Sequence, residues 1–219
     1  FDWQLDRYNR LRLGGEYTEF KLQYYQRGAA TQDICFCNVY VESPIRYNGF
    51  VKDRLDLGDV IIDGGLRYDY YDSRASHQVL SDSGYPWPTI YSTTAAYAKR
   101  DDSHNYLSPH IQVSFPVTDR TNFRLSYAHQ VQAPDWGLVL GGINTDLDKT
   151  NTNQLFGTDL DFSKTITFEF GVRHSFSDDM VLDVAAYNKD KLADPTARNF
   201  KMYDPISGVS NQESRWYVN

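Results

Sequence analysis

Residues 60–72 read VIIDGGLRYDYYD. Split by parity, Ile62, Gly64, Leu66, Tyr68 and Tyr70 fall on one side, and Asp63, Gly65, Arg67, Asp69 and Tyr71 on the other. A period of two is the signature of a β-strand whose two faces meet different surroundings. One face here is apolar and tyrosine-rich; the other carries three charges.

The same period recurs along the chain. In 105–116 the odd positions give Leu107, Ile111, Val113 and Phe115 against Tyr106, Ser108, His110 and Gln112. In 122–132 Phe123, Leu125, Tyr127, His129 and Val131 oppose Asn122, Arg124, Ser126 and Gln130. In 165–176 Ile166, Phe168, Phe170, Val172 and His174 oppose Thr167, Glu169, Gly171 and Arg173. Residues 180–190 and 47–57 alternate less cleanly, because Asp53 shares the parity of Val51 and Leu55. Residues 8–25 read as one long strand that changes phase between Tyr17 and Phe20, which a β-bulge would explain. Seven strands result, with the start of an eighth near Arg215.

The connections alternate in length. Tight turns fall at 57–59, 117–120 and 177–179; long polar stretches fall at about 26–44, 73–104, 133–163 and 191–213. In an up-and-down antiparallel sheet this gathers the short turns at one end and the long loops at the other, the habit of outer-membrane barrels. The strands, at 11 or 12 residues, fit a tilted span of the bilayer. Phe115, Phe123 and Phe176 stand by the short turns, and Tyr68, Tyr70 and Tyr71 by the long loops, as two aromatic girdles would. The alternatives are a soluble β-sandwich or propeller with the same apolar residues in a core.

Composition narrows the function. A net charge of −7 over 219 residues, with no basic stripe, argues against nucleic acid. No apolar run reaches the ~18 residues a membrane helix needs, which leaves a barrel open. The chain starts at Phe1 and stops within an incipient strand, so it reads as a fragment of something longer. Cys35 and Cys37, the only cysteines, make neither a disulfide framework nor a zinc site and read as structural or incidental. The five histidines show no paired spacing, so no metal site is expected; His129 and His174 sit on apolar faces beside headgroups or neighbours. DLDKTNTN (146–153) lacks the glycine and glutamate of a calcium loop, and GLVLGGIN (137–144) has no lysine and leads into no helix. No acid/base pair or other catalytic constellation is present, and no cofactor is called for.

Three stretches carry a resemblance. GFVKDRLDLGDVIIDGGLRYDYYD (49–72) resembles a hairpin of the form A-Y-V-Q-D…G-L-R-Y-D. LSPHIQVSFPVTDRTNFRLSYAHQVQAP (107–134) resembles L-S-P-R…S-Y-P-V…R-x-S-Y-G…P. TDLDFSKTITFEFGVRHSFSDDMVLDVAAYNKD (158–190) resembles N-P-x-L-x-P-E…E-x-G…F-x-D…D-V-x-x-Y-x-K-D, with Gly157, Thr158 and Ser163 departing from it. Together they resemble the TonB-dependent receptors of Gram-negative outer membranes, in particular the Bacteroidetes-like type with a carboxypeptidase-regulatory-like domain.

The resemblance implies an all-β fold: part of an antiparallel up-and-down transmembrane β-barrel, seven to eight strands of about 22. The plug domain and TonB-contacting segment lie outside this chain. It implies uptake of a siderophore, glycan or peptide, with outer-membrane lipid and the TonB complex as partners and the long loops extracellular. Ile62, Leu66, Tyr68, Ile111, Val113, Leu125, Tyr127, Ile166, Phe168, Phe170 and Val172 would face lipid. Asp63, Arg67, Asp69, Arg124, Glu169 and Arg173 would face the lumen. Tyr85, Trp87 and Tyr91 in one loop and Trp136 in another are candidates to stack on a ligand or an extracellular protein partner. Two further functions remain open at this point: a surface scaffold without transport, and a soluble carbohydrate-binding β-sandwich.

Overall fold

A computed structural model describes residues 1–31, 34–75, 103–141, 155–156, 160–203 and 210–218, with side chains described for 1–25, 40–75, 103–141 and 160–196. Its strands are β1 (Asp2–Gln4), β2 (Asn9–Glu19), β3 (Leu22–Thr31), β4 (Ile34–Glu42), β5 (Ile45–Asp56), β6 (Ile61–Asp72), β7 (Ser103–Thr118), β8 (Thr121–Gln132), β9 (Leu155–Phe156), β10 (Ser163–Ser177), β11 (Met180–Ala193), β12 (Thr196–Tyr203) and β13 (Ser210–Val218). A single helical turn, α1 (Trp136–Val139), stands between β8 and β9.

Eight strands make one antiparallel sheet in the order β1-β2-β5-β6-β7-β8-β10-β11. The chain goes up and down: each long strand pairs with the next one in the barrel wall. The sheet ends at β1 and β11, which do not pair with each other, so the wall is an open arc. All seven strands legible in the alternation are present. β5, the weak one in sequence, pairs along its whole length on both sides, Leu13↔Val51↔Leu66 being one row.

Turn chemistry explains the short end. Between β5 and β6 Leu57 N–H donates to Val60 O, Gly58 takes φ +88°, and the Asp56 carboxylate accepts from its N–H. Only glycine enters that backbone region without strain. Between β7 and β8 the Thr118 and Thr121 hydroxyls bond at 2.9 Å, and Arg120 reaches across to Phe176 O. The three short connections therefore share one end of the sheet, and the long ones the other.

Three expectations are corrected. Residues 8–25 are not one bulged strand: the chain leaves the sheet at Phe20, whose N–H donates to Pro44 O. Beyond it β3 and β4 form a separate two-stranded hairpin, so much of 26–44 is strand. The final strand near Arg215 does not continue the wall; β13 pairs with β12 antiparallel and β9 parallel in a small second sheet. The eighth wall strand is instead the three-residue β1, set on β2 by Trp3↔Leu11.

The wall is one layer thick, so its strands have no second sheet to bury against among the described residues. The one compact core of those residues sits at the long-loop end: Tyr40, Tyr71, Ala75, Trp136, Val139, Leu140, Leu160 and Phe162, with Phe20 against it.

Candidate functional site: a two-faced wall with an aromatic cap

The register sorts the wall into two faces. On one, cross-strand rows read Val51–Leu66–Pro109, Leu55–Ile62–Val113 and Ile111–Tyr127–Phe168–Asn188. The row Val113–Leu125–Phe170–Ala186 continues it. Every residue expected to face lipid lies on this face. It is uncovered: Leu66, Ile111, Tyr127, Phe168, Phe170 and Val184 are all more than a third exposed. An apolar band running unbroken across seven strands is far larger than a soluble monomer leaves bare.

Aromatics fringe the band at both ends. Tyr17, Tyr47 and Tyr70 share one row at the long-loop end, with the Tyr47 and Tyr70 rings stacked at 4.4 Å. Phe115, Phe123 and Phe170 cluster toward the short turns, at 6.0 and 5.6 Å. Along β7, Phe115 and the partner of Tyr70, Asn105, are ten residues apart. At about 3.3 Å per residue and a tilt near 40° that is roughly 25 Å of height, the thickness of a barrel's apolar belt. Tyr71 does not belong to the outer girdle. Its odd parity turns it to the other face, where it is 1 % exposed within the cap.

That other face carries the charges, and Asp63, Arg67, Asp69, Arg124, Glu169 and Arg173 all lie on it by register. Arg67 clasps Asp69 through Nε and Nη2 at 2.8–3.0 Å. Lys52 stands 3.4 Å from Asp63. Arg124 reaches over β10 to Asp183 on β11, at 2.6 and 3.2 Å. Its path crosses Gly171, where a Cβ would lie 2.5 Å from Arg124 Nε, so the glycine is what lets the arginine cross. Both groups of that pair are about a third exposed or more, so the pair balances charge more than it stabilises. Asp183→Asn is accordingly expected to move the unfolding free energy by less than about 1 kcal/mol in a urea titration; a loss of several times that would mean the wall network is structural. Beyond the outer end of β11 the Asp194 carboxyl is held below the usual carboxylate range, chiefly by a hydrogen bond from Lys191 at 2.5 Å.

The cap joins the bases of three long connections over the charged face. Asp135 caps α1 by accepting from Gly137 N–H at 2.7 Å, so the glycine-rich stretch opens as a helical turn rather than leading into none. Trp136 packs edge-on to Tyr71 and Phe20, and the Arg46 guanidinium covers its ring at 4.4 Å. Arg46 Nη2 also donates to Pro134 O at 2.6 Å, and the Tyr71 hydroxyl donates to Leu160 O. Trp136, 8 % exposed, is therefore no open stacking platform but the centre of this cluster. Tyr85, Trp87 and Tyr91, and the stretch 146–153, lie outside the described residues, as do the side chains of Cys35 and Cys37.

His129 sits between two phenols, Tyr106 at 2.9 Å and Tyr127 at 2.6 Å, and His174 bonds Thr121 Oγ1 at 2.8 Å. Among the described residues no three His, Cys, Asp or Glu side chains gather to hold a metal. Sequence reasoning missed the cap, the Asp183 partner of Arg124, and a hollow on the charged face around Gly65. Only the register, which pairs residues tens of positions apart, reveals them.

Comparison with known proteins places this geometry. Residues 1–212 match the family described as TonB dependent receptor-like, beta-barrel. No curated protein matches the chain. Among solved structures, a mutant ferric enterobactin receptor, PfeA from Pseudomonas aeruginosa, in complex with enterobactin is similar at 18% identity and TM-score 0.63. It aligns with 99% of this chain and 29% of its own. PfeA in complex with BCV-L6 gives 17% identity and TM-score 0.59 over 96% and 28%. A structure described as the copper transporter OprC gives 14% and 0.55 over 98% and 30%. At such identities the likeness is one of fold, and the chain spans under a third of the length of these structures.

Proposed function

The chain belongs to the TonB-dependent receptor-like β-barrel family, and from that premise we propose that it forms about a third of the barrel of a Gram-negative outer-membrane transporter that takes up a nutrient ligand. The observation that carries the reading is the uncovered apolar band, roughly 25 Å high and fringed by tyrosine and phenylalanine. A soluble sandwich would have to bury that band, and the described residues supply no second layer to do so.

In this reading the apolar face meets lipid and the charged face lines the lumen. The long connections face outward, and Tyr85, Trp87 and Tyr91 contact the ligand or an extracellular protein. The barrel has about 22 strands. A plug domain fills it, and TonB moves the plug with energy from the inner membrane. The ligand is a siderophore, glycan or peptide, and the receptor is of the Bacteroidetes-like type with a carboxypeptidase-regulatory-like domain. The bidentate and charge-balanced pairs of the wall suit a polar lumen that must stay soluble without binding any one ion tightly.

The parent coding sequence is expected to place a plug domain ahead of Phe1, with a TonB-contacting segment before it. A parent barrel with no plug domain would sink the transport reading and leave a surface scaffold.

A further inference from the structure

The charged face holds a hollow of about 330 Å³ at mid-height, at the small end of the range for ligand pockets. Its floor is made of small residues where three strands meet. Gly65 lies in the row Lys52–Gly65–His110–Ala128, and Ser108 in the row Phe50–Arg67–Ser108. A Cβ at Gly65 would stand 2.9 Å from Val51 O, so the floor is as low as a backbone allows.

The wall is also locally open there. β7 pairs with β8 only from His110 toward the turn; no strand pairing links 103–109 to 129–132. Pro109, which has no N–H to give, stands where the ladder stops. Ser108, 5 % exposed, lines the hollow, and its Oγ has no hydrogen-bond partner among the described residues. A buried hydroxyl without a partner costs free energy that a ligand would recover.

The lining chooses the ligand. Arg67 and Lys52 are neutralised on the same wall, by Asp69 and Asp63. A bare anion entering the hollow would meet the Asp69 carboxylate as well as the cations. Donors and acceptors are instead mixed, with Ser108, His110, Arg67 and Asp69 within one patch. Phe50 adds an apolar plate: its ring lies over Gly14, where a Cβ would come within 2.7 Å, and it is 41 % exposed on the hollow's side of the sheet. Planar polar groups around an aromatic ring match the alternating hydroxyls and C–H face of a pyranose.

We propose that this hollow binds a neutral, hydroxyl-rich molecule of sugar size, recognised by Ser108, Arg67 and Asp69 and stacked on Phe50. The proposal rests on the reading of the charged face as the lumen. The test uses the full-length receptor in detergent, titrated calorimetrically with D-glucose and, separately, with inorganic phosphate. Glucose should bind saturably, phosphate should not compete, and Arg67→Gln and Ser108→Val should each weaken glucose binding by about tenfold or more. Arg124→Gln, on the same face away from the hollow, should leave it unchanged. No saturable glucose binding by folded receptor, or phosphate binding that Arg67→Gln removes, overturns the proposal. Heat-modifiable electrophoretic mobility of the same samples reads barrel insertion; its loss overturns the lumen reading instead of the pocket alone.

Discussion

Replacing Trp136 by alanine is expected to destabilise the cap by about 3–5 kcal/mol, the usual cost of emptying a buried indole site. Trp136 is 8 % exposed and touches Tyr71, Phe20 and Arg46, which come from three different parts of the chain. The loss should be local. The cap is the only compact core among the described residues, whereas the wall is held by strand pairing that does not depend on it. The barrel should therefore stay folded while the bases of the connections after β6 and β8 open. Limited proteolysis of the folded receptor should show cleavage in 73–75 or 133–141 at a rate raised by two orders of magnitude or more, about what 3 kcal/mol implies. Tyr71→Phe, which removes only the hydrogen bond to Leu160 O, should cost about 1 kcal/mol and raise cleavage several-fold. Equal protease resistance in Trp136→Ala and the parent would show that the cap does not hold the loops.

The second large effect separates the two faces at adjacent residues. Phe170 stands in the middle of β10 on the apolar face, between Leu125 and Ala186, and Glu169 follows the charged face beside Ser126. An arginine at the bilayer midplane of a barrel costs about 2–4 kcal/mol, while a lumenal one is nearly neutral. Phe170→Arg should thus lose about 2–4 kcal/mol in urea unfolding from lipid vesicles, and Glu169→Arg less than about 1 kcal/mol. Equal losses at both positions would mean that the two faces meet the same surroundings.

The wall was legible in the sequence because a strand between two environments writes its geometry into every second residue. Ile62, Leu66 and Tyr68, or Leu125 and Tyr127, could be assigned a face by counting. The alternation of short and long connections then gave the up-and-down order without any contact information. What escaped had no local period. Trp136 lies in a helical turn of four residues, too short for a 3.6-residue pattern to repeat. Its partners Phe20, Arg46 and Tyr71 lie far back in the chain, and nothing nearby in sequence distinguishes a loop tryptophan that is buried from one that is exposed. The phase change after Tyr17 was visible, yet a bulge and a departure from the sheet shift the parity alike; only the Phe20–Pro44 hydrogen bond decides for departure. The hollow at Gly65 depends on a lapse in pairing between β7 and β8, for which Pro109 was the one signal in the sequence.

Whether the apolar face of residues 60–72 and its neighbours meets lipid or protein is answered most directly by a nitroxide scan of β8. Single cysteines at 122–128 of the full-length receptor, spin-labelled in bilayers, would report collisions with oxygen, which concentrates in lipid, and with a water-soluble nickel complex. Oxygen accessibility is expected to peak at Phe123, Leu125 and Tyr127 and nickel accessibility at Asn122, Arg124 and Ser126, the two out of phase with a period of two. Odd positions shielded from both reagents would place the apolar face in a protein core, and the membrane barrel would be the wrong account of this chain.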